Sequence, residues 1–206
     1  MEEREIQKVP RFNYRSITLF FLIVIMIGVF ILLFHGEHSF LNLSTTPRVR
    51  PNLPAPNFSF PGLDGKMVNL NDYRGKKVVL LNIWATWCPS CVEEMPSMEK
   101  LYGEVKGDEF EILAVSIDAL GAKAVAPFMK KYTLGFPALL NSDGTIQNLY
   151  GTTGIPESFI INREGKIEEI IIGPRDWAAP DVIRLFRNLI QKPSSLPATN
   201  SPVPAK

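Results

Sequence analysis

Lys77 to Val105 reads KVVLLNIWATWCPSCVEEMPSMEKLYGEV, and the fold is decided in this stretch. Its first part, Lys77 to Ala85, is a continuous apolar run rich in β-formers, as expected of a strand covered on both faces. From Pro89 to Val105 the apolar residues Met95, Met98, Leu101, Tyr102 and Val105 recur at helical spacing. Cys88-Pro89-Ser90-Cys91 lies at the junction. A thiol at a helix N-terminus faces unpaired backbone N–H groups and the positive end of the helix dipole, and both favour thiolate over thiol. Cys88 is therefore the candidate nucleophile. Pro89 is tolerated there because its missing N–H would have lacked a helical partner anyway. Cys91, one turn further in, lies on the same side and is placed to attack a mixed disulfide formed by Cys88.

Outward from this unit, strands and helices alternate. Phe110 to Ile117 reads as a second buried strand and Lys123 to Tyr132 as a second helix, with Pro127 expected in or near its first turn. A short strand is expected at Ala138 to Leu140 and a helical turn near Ile146 to Tyr150. Strands at Ser158 to Asn162 and Lys166 to Ile172 are joined through Asn162-Arg163-Glu164-Gly165 as an antiparallel hairpin. A closing helix is expected over Asp181 to Gln191, with Pro180 suited to its first position. The order implies an α/β domain with a mixed sheet and helices on both faces.

The chain has 206 residues, 22 of them Lys or Arg and 21 Asp or Glu. Residues 57–192 carry 15 basic and 17 acidic side chains, a net of −2, which argues against a nucleic-acid-binding face. Only two cysteines are present, so no disulfide scaffold can be built, and a domain of this length buries a core without one. A Cys-x-x-Cys pair can also be half of a zinc site. Here no third cysteine exists, and the two histidines, His35 and His38, stand far from the motif, so no metal or other cofactor is expected. A peroxidase centre carries Pro-x-x-x-Thr-x-x-Cys, which Thr86 does not fit. A purely structural Cys88–Cys91 disulfide stays open, although so small a loop gains little stabilisation. Disulfide exchange is the chemistry the pattern supports best.

Before the domain, Ser16 to Phe34 (SITLFFLIVIMIGVFILLF) contains no charge and is long enough to match a bilayer core of about 30 Å. It is followed by no small-residue cleavage site, which favours an uncleaved anchor over a signal peptide. Arg4, Lys8, Arg11 and Arg15 precede it, while no Lys or Arg follows until Arg48. That asymmetry places the N-terminus in the cytoplasm and the remaining chain outside it. The expected organisation is a cytoplasmic segment 1–15, a transmembrane anchor 16–34, a Pro-rich linker 35–56, a domain 57–192 and a disordered tail 193–206. Prolines 47, 51, 54 and 56 make the linker a semi-rigid spacer, and the tail has too few large apolar residues to fold.

Leu80-Leu81-Asn82-Ile83-Trp84-Ala85-Thr86-Trp87-Cys88-Pro89-Ser90-Cys91, followed by Glu94-Met95-Pro96, resembles the membrane-anchored thioredoxin-like thiol:disulfide oxidoreductases of the TlpA/ResA/CcmG (DsbE) group. Pro56-Asn57-Phe58, Gly62 to Lys66 and Gly154-Ile155-Pro156-Glu157-Ser158-Phe159 extend the likeness over residues from about 52 to 190. The resemblance implies a thioredoxin-like fold with an N-terminal β-hairpin extension and an insertion around the second and third strands. It implies reductive work, such as keeping the haem-binding cysteines of apocytochrome c as thiols, with re-reduction by an integral-membrane thiol reductant of the CcdA/DsbD type; sequence does not fix the direction, so a disulfide-inserting oxidant stays open as the alternative. Pro156 matches the family's cis-proline, and the backbone before it, at Ile155, pairs with an extended substrate segment. Trp84 and Trp87 are expected to pack around the site, Trp87 on the substrate side. Glu94 matches a glutamate used to tune or relay thiol protons, whereas Glu93 reads as a solvated surface residue. Asn82 stands where thioredoxins carry a buried proton-accepting Asp, a task an amide cannot perform. Glu157 is similar to its counterpart in the cytochrome c maturation branch.

Overall fold

A computed structural model describes residues 14–35 and 49–193, apart from 106 and 108. The expected disordered tail and most of the cytoplasmic segment and linker lie outside the described residues. The chain forms two units, divided near Thr45. The first contains helix α1, Tyr14–His35, of 22 residues. Its large apolar side chains from Leu19 to Phe30 are exposed. The described side chains cover only part of the helix, and among the described residues no helix is long and apolar enough to cross a membrane.

The second unit begins with a small antiparallel hairpin, β1 (Ser59–Pro61) and β2 (Met67–Asn69). A five-stranded sheet follows, built from β3 (Val78–Trp84), β4 (Phe110–Ser116), β5 (Ala138–Leu140), β6 (Glu157–Ile161) and β7 (Ile167–Ile172). Its order is β5-β4-β3-β6-β7. β3 runs parallel to β4 and β4 to β5, while β6 is antiparallel to both β3 and β7. This is the mixed sheet expected of a thioredoxin-like domain. The helices are α2 (Pro89–Val105), α3 (Ala122–Lys131), α4 (Thr145–Tyr150) and α5 (Pro180–Gln191). β5 is an edge strand beside β4.

Alternation along β3 explains why the sheet needs cover on both sides. Val78, Leu80 and Trp84 belong to one core with Met95 and Met98 of α2 and Phe186 of α5. Val79, Leu81 and Ile83 belong to the opposite core with Phe58, Ile146 and Tyr150. Asn82 falls in the first set by parity, so a polar amide is delivered beneath α2. Pro180 opens α5, as its fixed φ and missing N–H favour.

Two details depart from the sequence reading. Pro127 lies inside α3, past the first turn, where it removes a backbone donor from the interior of the helix. Pro96 likewise interrupts the ladder of α2. The end of the expected spacer is part of the domain. Asn52 N and Ala55 N donate to the carbonyls of Ile167 and Gly165, and Ile167 N donates to Leu53 O. These bonds cover the outer edge of β7, which would otherwise present unpaired backbone groups.

Phe186 is fully buried and meets the Phe110 ring edge-to-face at 5.1 Å. Phe186→Ala should therefore lower stability by about 3–5 kcal/mol, read from the denaturant midpoint at unchanged slope. A loss under about 1 kcal/mol would mean that α5 does not close the first core.

Candidate functional site

β3 ends at Trp84 and α2 begins at Pro89, so the four residues between them turn the chain through the end of the sheet. Asp118, just beyond β4, holds that turn. Its carboxylate accepts from Thr86 N (2.9 Å) and Thr86 Oγ1 (2.6 Å), and from Ser116 Oγ (2.7 Å). Asp118 is buried although it has no cationic partner among these groups. Three donors on one carboxylate offset part of its desolvation and tie the loop to β4.

Cys88 then occupies the N-cap of α2. Its carbonyl accepts from Val92 N at 3.1 Å, and its sulfur accepts from Cys91 N at 3.2 Å. The sulfur takes the role of a capping oxygen for an N–H that no helical carbonyl can reach. Cys88 and Cys91 are joined as a disulfide with Cα atoms 5.3 Å apart. Cys88 is 5% exposed and Cys91 fully buried, so the outer sulfur is the one a partner meets. Ser90 Oγ lies 3.5 Å from the Cys88 sulfur.

The Ile155–Pro156 peptide is cis, and the Ile155 carbonyl is 3.6 Å from the Cys88 sulfur. Trp84 is wholly buried against Phe128, with ring centroids 5.0 Å apart. Trp87 is 65% exposed and projects beside Cys88. Cys88, Ile155, Pro156 and Trp87 therefore share one end of the sheet, where the parallel strands end and β6 begins.

Behind the disulfide lies a second polar group. Glu94, one turn beyond Cys91 on α2, is 3% exposed, whereas Glu93 faces solvent. Glu94 Oε1 accepts from Asn82 Nδ2 at 2.9 Å; Oε2 accepts from Trp177 Nε1 at 3.0 Å and Arg175 N at 3.2 Å. Asn82 Nδ2 also donates to Ser158 Oγ at 2.9 Å, and Asn82 Oδ1 has no partner among the described residues. Burial pushes the Glu94 carboxyl above the usual carboxylate range, and the three donors pull it partly back. Glu157, after the cis-proline, is also pushed up by burial. The Thr152 hydroxyl opposes that shift without reaching hydrogen-bond geometry.

Sequence reasoning missed Asp118, Ser158, Arg175 and Trp177. Asp118 left a trace, a Ser-Ile-Asp step closing a buried strand. Trp177 sits between β7 and α5 with no motif around it, and only the fold brings it to Glu94. No cluster of three or more metal-ligating side chains is present among the described residues.

Comparison with known proteins agrees with this geometry. Residues 51–170 match the AhpC/TSA family. Thiol-disulfide oxidoreductase ResA of Bacillus thuringiensis subsp. konkukian (strain 97-27) is 42% identical over 119 residues, 58% of this chain and 68% of that protein. ResA of Bacillus subtilis (strain 168) is 36% identical over 137 residues, 66% of this chain and 74% of that protein. Among solved structures, StoA from Bacillus subtilis superposes with a TM-score of 0.53 at 27% identity, covering 68% of this chain and 98% of that one. A thioredoxin-family thiol:disulfide interchange protein from Chlorobium tepidum TLS has a TM-score of 0.53 at 30% identity, covering 67% and 97%.

The raised Glu94 carboxyl has a consequence for stability. A carboxyl that binds its proton more tightly in the folded state stabilises fully below the unfolded pKa, and that stability is lost as pH rises through the folded value. Glu94→Gln removes the titration. The stability difference, variant minus wild type, should therefore grow as pH rises through the raised Glu94 value. Equilibrium unfolding of both proteins between about pH 4 and pH 8 measures it, and parallel curves would show that Glu94 titrates normally.

Proposed function

The chain belongs to the AhpC/TSA family as a thiol:disulfide oxidoreductase of the TlpA/ResA/CcmG type, and from that premise we propose that it is a membrane-anchored reductant acting outside the cytoplasm on protein disulfides. The observation that carries the chemistry is the Cys88 sulfur, capped by Cys91 N–H and lying 3.6 Å from the Ile155 carbonyl. A partner's disulfide reaches Cys88 first. The Cys88 thiolate attacks one sulfur of that disulfide, a mixed disulfide forms, and the partner's other sulfur leaves and takes a proton. Cys91, after losing its proton, attacks the Cys88 sulfur and releases the partner's second thiol. Two electrons pass to the partner and the Cys88–Cys91 bond re-forms. The partner lies as an extended segment along Ile155 and Pro156, with the exposed Trp87 ring as an apolar contact beside it.

The carboxylate behind the pair supports the reductive direction. Side chains three apart on a helix are neighbours, so an ionised Glu94 opposes negative charge on Cys91. A dithiol whose reduced, charged form is poorly stabilised is a better reductant. Glu94 thus acts on the proton held by Cys91 and gives the domain its reducing character.

Apocytochrome c with oxidised haem-binding cysteines is the proposed substrate, and an integral-membrane thiol reductant of the CcdA/DsbD type returns the pair to the dithiol. Ser16–Phe34 is the proposed anchor. Its lack of charge, its 19-residue length and the four basic residues before it support an N-terminus in the cytoplasm.

Three measurements test these statements. Equilibration of the Cys88–Cys91 couple with glutathione should give a potential well below about −200 mV, while a value near about −120 mV would make the protein an oxidant. No reducible couple at all would leave a tethered binding module. In the reduced protein, alkylation near neutral pH should label Cys88 first, and Cys91→Ala should trap mixed disulfides with partners; faster labelling of Cys91 would reverse the roles. Protease added outside spheroplasts should remove the domain and leave a membrane-held fragment ending near the linker, whereas a soluble mature protein would establish a cleaved signal.

A further inference from the structure

Among the described residues, every group that reaches the Glu94 carboxylate is a nitrogen donor: Asn82 Nδ2 at 2.9 Å, Trp177 Nε1 at 3.0 Å and Arg175 N at 3.2 Å. A buried carboxylate with three donors and no acceptor is arranged for its ionised form. We propose that Trp177 is a positioning residue whose indole N–H holds Glu94 ionised, so that this ring sets the pH at which Glu94 takes its proton and at which the Cys88–Cys91 pair changes reactivity. The inference rests on the role given to Glu94 above.

The three donors are not equivalent. Asn82 can follow either state of Glu94, because turning its amide over presents Oδ1, without a partner among the described residues, to a protonated carboxyl. An indole N–H only donates, and it bonds a carboxylate oxygen more strongly than the carbonyl oxygen of a neutral acid, so Trp177 favours the ionised state. Among the side chains that meet Glu94, Trp177 is therefore the one that discriminates between the two states.

The ring is also held firmly. Trp177 is fully buried, and its backbone N donates to Ser97 Oγ at 3.0 Å. Ser97 Oγ in turn donates to Glu94 O at 2.8 Å, which fastens the loop before α5 to the turn of α2 that carries Glu94. The Arg175 guanidinium lies 5.6 Å from the indole ring and pairs with Glu169 at 2.9 Å. The ionisable groups on the surrounding elements are Cys91 and Glu93 on α2, Glu157 on β6, Glu169 on β7, and Arg175 and Asp176 in the loop. None of their side chains hydrogen-bonds Glu94.

Trp177→Phe keeps an aromatic ring in the core and removes the donor. The pH profile of thiol alkylation in the reduced variant should have its Glu94-dependent step displaced to higher pH. In the Glu94→Gln background the same replacement should cause no displacement. A Trp177→Phe profile that coincides with wild type, while Glu94→Gln alters it, overturns the proposal and leaves the Glu94 role standing. A Glu94→Gln profile identical to wild type removes that role itself and the proposal with it. An equal displacement in both backgrounds assigns the effect to ring packing and overturns the proposal as well. If Trp177→Phe does not fold, the intact protein decides. The Trp177 indole N–H resonance should titrate in step with Glu94 and lose that step in Glu94→Gln, and a resonance indifferent to pH in wild type overturns the proposal.

Discussion

The backbone N–H of Cys91 points at the sulfur of Cys88 from 3.2 Å, and the site depends on that contact. A helix start leaves N–H groups that no helical carbonyl can reach. Here a sulfur fills the place of a capping oxygen, and it accepts more strongly as a thiolate than as a thiol, so the cap is best satisfied in the attacking state. The arrangement requires a tight, fixed turn between β3 and α2. Asp118 supplies it from the neighbouring strand by binding both the amide and the hydroxyl of Thr86. The geometry of the nucleophile is thus set by a residue about thirty positions away in the chain.

One turn deeper the electrostatics reverse. The Cys88 sulfur meets a backbone donor, while Cys91 is fully buried and shares its helical face with a carboxylate. Two sulfurs in one helical turn therefore meet different surroundings, and the proposed exchange uses the outer one for attack and the inner one for resolution. The asymmetry comes from placement, because the two side chains are chemically identical.

The sheet makes the buried carboxylate tolerable. Asn82 interrupts an otherwise apolar β3 on the face covered by α2 and α5, directly opposite Ser158 in β6. Its amide joins Ser158 and Glu94 in one polar path through the first core. The loop between β7 and α5 completes that path from the other side with the Trp177 indole and the Arg175 amide. A buried polar cluster of this kind is costly when half satisfied, and Asn82 Oδ1, without a partner among the described residues, marks the place where the cluster has room to change state.

Much of this was written in local sequence. Lys77 to Val105 determined by itself the strand, the helix, the junction and the two sulfurs, because hydrophobic period and helix-start chemistry act between near neighbours. Helix α2 runs Pro89–Val105 as its spacing indicates, and Ala138–Leu140 is a strand. Glu94 could be named from its spacing to Cys91 and the family resemblance, although not its partners. Only the tertiary structure decided that Trp87 stands out in solvent while Trp84 is buried, since both have the same composition-level claim to a core. It alone brought Leu53 and Ala55 against β7, where an open strand edge needs backbone partners that proline-rich sequence does not advertise. The donors on Glu94 come from β3 and from a loop more than eighty residues further on. No periodicity records such a meeting, because a hydrogen bond between distant segments depends on how whole elements pack, and that packing is settled by the cores on both faces of the sheet.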